Sequence, residues 1–74
     1  MKRAPFRIMI GIAGDRRLLL AASEREAALK AESVLRRYDA PPGGAGFIIE
    51  TSDTQARARL AAYLADVARE LDLA

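Results

Sequence analysis

The sequence predicts a small α+β domain with the element order β-β-α-β-α. Three observations carry that expectation. Phe6 to Ile12 alternates strictly, with Phe6, Ile8, Ile10 and Ile12 on one side and Arg7, Met9 and Gly11 on the other, which is the period of a strand. Apolar residues recur twice at helical spacing, first at Ala27, Ala28, Ala31, Val34, Leu35 and Tyr38, later at Leu60, Tyr63, Leu64, Val67 and Leu71. Each helical stripe follows a polar start signal, and Phe47-Ile48-Ile49 between them reads as a third strand.

Seventy-four residues allow one domain, read here as residues 6–74 behind a basic tail at 1–5. A chain of this size buries only about 60% of its unfolded surface, and small folds normally add disulfides, a metal or a second subunit. With no Cys and no His, the first two supplements lose their usual ligands, which favours self-association. The apolar fraction of 51% and charged fraction of 30% are those of a globular chain rather than a disordered one. Apolar runs such as Leu18–Ala22 are far too short to span a bilayer, so we expect a cytoplasmic protein with no membrane contact. Twelve basic against ten acidic residues leave a net charge of +2. The preference for Arg over Lys and the abundance of Ala fit GC-rich bacterial coding, so arginine richness is not in itself a sign of phosphate binding.

Pro5 lacks an N–H and suits the entry to the first strand. Gly14-Asp15 punctuates the chain before Leu18–Ala22, the second strand. A two-residue loop there sets Ile12 opposite Arg17. A three-residue loop sets Ile12 opposite Leu18 and Ile10 opposite Leu20, and we favour it because it keeps apolar side chains on one face. Ser23-Glu24-Arg25-Glu26 is a capping box that starts the first helix. Arg36-Arg37 complement the negative end of its dipole, and the Pro/Gly-rich stretch from Ala40 to Gly46 returns the chain to the sheet. Phe47–Glu50 is the third strand, and Ser52 with Gln55 caps the second helix. Aligning Ser23 with Ser52 also matches Ala27 with Ala56 and Leu35 with Leu64, a repeat that duplication or shared capping chemistry explains.

The two-sided apolarity of Phe6–Ile12 argues for a central first strand and the sheet order 2-1-3, with 1-2-3 as the alternative. Both helices then cover one face. The other face would carry Arg7, Met9, Leu19, Ala21 and Ile48, too apolar a set to leave in water.

Catalysis has little to work with. Ser23, Ser33 and Ser52 have no histidine to activate them. Glu24, Glu26, Glu32, Asp53, Asp66 and Glu70 are spread over helix surfaces, leaving Asp15 with Glu50 as the one non-helical carboxylate pair. The Pro41–Gly46 loop runs from a helix into a strand, the reverse of a phosphate cradle. We therefore expect no enzyme, metal or cofactor. The expected function is a small protein-interaction module, self-associating as a homodimer through the open sheet face or edge, with Met9, Leu19, Ala21 and Ile48 as its contact face. The alternative is a nucleic-acid-binding protein using Arg16, Arg17, Arg36, Arg37, Arg57 and Arg59, whose mark would be salt-sensitive affinity.

Overall fold

A computed structural model describes residues 5–12, 14–37 and 45–71. Five elements follow one another in the expected order: β1 (Phe6–Ile12), β2 (Asp15–Ala21), α1 (Glu24–Arg37), β3 (Ala45–Glu50) and α2 (Thr54–Glu70). The tail before Pro5, Tyr38 at the expected end of the first helix, the connector from Ala40 to Gly44, and Leu73 lie outside the described residues.

The sheet order is β2-β1-β3, with β1 antiparallel to both neighbours. Strand β1 is central and the most deeply buried of the three strands. Its even-numbered residues are buried, with Ile8, Ile10 and Ile12 almost sealed from solvent, while Met9 on the other side is half-buried. Since both outer strands oppose β1, they run parallel to each other, and each leads into a helix. The chain is thus two strand-to-helix units side by side, with β1 filling the space between their strands. Contacts between the helices occur in step: Glu24 with Arg59, Glu32 with Tyr63 and Arg36 with Glu70. The helices therefore run in the same direction.

Helix α1 lies over β1 and β2, and α2 packs against β3 and α1. The core joins Ile8, Ile10 and Ile12 to Leu35, Leu60 and Leu64. Alanines at Ala21, Ala27, Ala31, Ala56 and Ala68 are buried beside them, and their small side chains let helix and sheet approach closely. Nothing polar is buried among the described residues, so the interior owes its stability to apolar burial, at about 25 cal/mol per Å² removed from water.

The hairpin departs from the expected register. Ile12 pairs with Asp15, Ile10 with Arg17 and Ile8 with Leu19. The chain reverses between Ile12 and Asp15, earlier than expected. Gly14 adopts φ +84°, a left-handed conformation that costs a residue with a Cβ about 1–2 kcal/mol. Relative to the register favoured from the sequence, β2 slides by three residues. An odd slip exchanges the faces of a strand. Leu19 and Ala21 consequently lie on the helix side, with Ala21 buried and Leu19 against the core, while Leu18 and Leu20 point away from it.

A second correction concerns the start of α2. Its N-cap is Asp53, whose Oδ1 accepts hydrogen bonds from the N–H groups of Gln55 and Ala56 at 3.1 and 3.0 Å. Ser52 makes no such contact. Ser23 does cap α1, its Oγ accepting from Glu26 N–H at 3.1 Å. The buried positions Ala27, Ala31 and Leu35 still match Ala56, Leu60 and Leu64 at an interval of 29 residues, but the caps are 30 apart. The first buried residue stands one place nearer the cap in α2, and this displaced the cap assignment onto Ser52. Tyr63, expected in the buried stripe, is exposed instead, and the stripe extends to Ala68 on its opposite flank.

Candidate functional site

The helices leave one face of the sheet open, and the observed pairing sets its side chains in three rows. Leu20, Arg7 and Glu50 form the first, Leu18, Met9 and Ile48 the second, and Arg16, Gly11 and Gly46 the third. The middle row is wholly apolar. Ile48 is 64% exposed and Leu18 47%, high values for large aliphatic side chains aligned across three strands. Met9 and Ile48 are the two residues of the expected contact face that lie here. Leu19 and Ala21 belong to the other side, and Leu18 and Leu20 stand in their place. The continuous run Leu18-Leu19-Leu20-Ala21 has no alternation from which its outward positions can be read.

Beside the apolar row, Gly11 and Gly46 are opposite each other in β1 and β3, with open space above both. They floor a shallow depression of about 500 Å³ bordered by Met9, Ile48, Phe47 and Arg16. Three charged side chains stand on the open face: Arg7, Arg16 and Glu50. None of the three has an ion-pair partner among the described residues.

The expected arginine stripe does not assemble. Arg59 grips Glu24 with two hydrogen bonds of 2.9 and 2.7 Å, which hold the Glu24 carboxyl below its usual pKa and raise that of the guanidinium. Arg36 pairs with Glu32 at 2.7 Å and reaches Glu70 at 4.0 Å. The Tyr63 hydroxyl donates to Glu32; this bond, followed by that from Arg36, lowers the Glu32 pKa, while the same bond raises that of Tyr63. Arg37 borders a hollow beside Leu19 at the β2 edge, and Arg57 one beside Phe47 and Ile49 at the β3 edge. Arg16 faces out from the open side of the sheet, and Arg17, on the same strand, from the helix side. The six arginines thus face several directions, two of them engaged in bonds between or along the helices.

The acidic residues are no closer to a reactive cluster. Asp15 pairs with Ile12 at one end of the sheet and Glu50 with Arg7 at the other, on opposite faces. No group of three metal-ligating side chains occurs among the described residues. No described helix is long and apolar enough to cross a membrane.

The two sheet edges differ. At β2, Lys30 Nζ donates to the Leu20 carbonyl at 2.8 Å while pairing with Glu26 at 3.0 Å, so an ammonium covers part of that edge. At β3 the only side-chain bond nearby among the described residues joins Asp53 N–H to Thr51 Oγ1 beyond the end of the strand. No protein-family model, curated protein or solved structure matches the chain.

Proposed function

We propose that the protein is a small non-catalytic interaction module that works as a homodimer through the open face or the edge of its sheet. The apolar row of Leu18, Met9 and Ile48 is the observation that supports this reading. Association here would draw Ile48, 64% exposed, out of water, and apolar burial contributes about 25 cal/mol per Å². A second copy is the occupant that fits best. The face carries both signs of charge, Arg7 and Arg16 with Glu50, so it can complement itself. The mixed charge also weighs against a nucleic-acid role, because a phosphate backbone would meet Glu50 at the same surface. A cytoplasmic setting accords with a thiol-free chain, which neither needs nor forms disulfides.

Sedimentation equilibrium at micromolar concentration tests the reading. We expect a dimer for the native chain. Ile48→Asp, which places a charge at the most exposed residue of the apolar row, should be monomeric with an unchanged far-ultraviolet spectrum. A native chain that sediments strictly as a monomer would overturn the proposal.

A further inference from the structure

Resting on the homodimer reading, we infer that the two copies join edge to edge through β3, antiparallel about a two-fold axis beside Ile48, making one continuous six-stranded sheet.

The free backbone groups can be located from the bonds described above. Lys30 reaches the Leu20 carbonyl from outside the sheet, so Leu20 turns its backbone away from β1. Backbone groups alternate along a strand, and Leu20 is opposite Arg7. Arg7, Met9 and Gly11 therefore bond toward β3, and their partners Glu50, Ile48 and Gly46 bond back. The two-residue hairpin gives the same answer, since such a turn closes on a hydrogen-bonded pair, here Ile12 and Asp15. It follows that Phe47 and Ile49 direct their N–H and C=O groups outward. The strand they belong to, AGFIIE, has neither Pro nor Lys, the usual protections of an edge.

One register makes this edge self-complementary. With Ile48 opposite its own copy, Phe47 falls opposite Ile49 of the second copy, an aromatic and β-branched cross-strand pair. The middle row of the open face then runs unbroken across six strands, from Leu18 through Met9 and Ile48 of one copy to the same residues of the other. In the next row, Glu50 comes to lie beside the second copy's Gly46. Beyond it stand Gly11 and then Arg16, so the two charged side chains approach each other over the glycine floor. Strands spaced about 4.8 Å apart put Arg16 and Glu50 about 14 Å apart at Cα, within reach of their extended side chains. The symmetry forms this pair twice. The missing side chains at Gly11 and Gly46, which no contact among the described residues requires, thereby acquire a purpose.

The helix layer permits the same approach. Ala58 and Ala61 form the flank of α2 beside Phe47 and Ile49, and both are exposed. Two such flanks can come within the 8–10 Å at which helices pack. Stacking two copies face to face offers less. The open face measures roughly 20 Å by 14 Å in projection, about 300 Å² per copy, against the 1,200–2,000 Å² total of stable interfaces.

Single-cysteine variants of the full chain test the arrangement, since the native sequence contains no cysteine. A non-hydrogen-bonded cross-strand pair has Cα atoms about 4.5 Å apart, within disulfide range, whereas stacked sheets lie about 10 Å apart. Under mild oxidation, Ile48→Cys should convert almost wholly to a covalent dimer with an unchanged far-ultraviolet spectrum, and Leu18→Cys should not. Arg16→Glu, on an exposed side chain, should raise the dimer dissociation constant by roughly 2- to 30-fold, the range for two exposed ion pairs. A native monomer would overturn the homodimer reading itself. A native dimer whose Ile48→Cys variant stays uncrosslinked, or whose Leu18→Cys variant links instead, would leave that reading in place and overturn the β3 route. An Arg16→Glu variant that associates as tightly as the native chain would overturn the register.

Discussion

Two single residues decide where elements begin. Gly14 sets the hairpin, because its positive φ lets the chain reverse directly after Ile12. Gly14→Ala should cost about 1–2 kcal/mol in urea denaturation, the penalty of placing a Cβ in the left-handed region. Space is not the difficulty, since nothing stands near the added atom. Asp53 sets the start of α2 by accepting from two otherwise unsatisfied N–H groups. Asp53→Ala should lose about 1 kcal/mol, and Ser52→Ala should stay within about 0.5 kcal/mol of the native stability. Comparing the two in one unfolding experiment separates the cap from its neighbour. Both residues announce themselves in the sequence as turn or cap formers, but each stands beside a second candidate of similar chemistry. Asp15 follows Gly14 and Ser52 precedes Asp53, so composition identifies the place to within one residue and no better.

At the scale of elements, strands and helices follow from their periods. Strand β1 and the two helical stripes are legible because strict alternation and 3.6-residue recurrence admit one reading. Strand β2 is the exception: a run of consecutive aliphatics announces burial without saying which residue faces which way. The helices are further joined by exposed polar contacts whose pH response can be signed. The Glu24 and Glu32 carboxyls sit below their usual value of 4.5, chiefly through bonds from Arg59 and from Tyr63. Their contribution is present at neutral pH and is lost as acid protonates them below that value. The Tyr63 phenol is raised above its usual 10.0 by its bond to Glu32. Its contribution is present below that pH and disappears as alkali ionises the ring. The thermal midpoint should therefore fall at both extremes. Glu24→Gln should flatten the acid limb and Tyr63→Phe the alkaline one, as followed by circular dichroism.

For the molecule as a whole, the open face is where sequence and structure part most usefully. That the sheet has a second, apolar side was legible from Met9 lying between Arg7 and Gly11, and from Ile48 lying between two other apolar residues. Its membership was not. Exchanging Leu19 and Ala21 for Leu18 and Leu20 follows from the odd slip of β2, and that slip depends on the turn. The convergence of Gly11, Gly46 and Arg16 was likewise hidden, because the three come from three strands and share a row only once both registers are set.

The sequence alone determined the element order, the central place of β1 and the helix-covered core, since each follows from local periodicity and from the need to bury an apolar stripe. Only the tertiary structure decided the hairpin register, the composition of the open face and the pairing of arginines with helix acids. Those depend on where strands and helices meet, and a shift of a single residue, invisible to composition, exchanges what a strand shows to water with what it shows to the core.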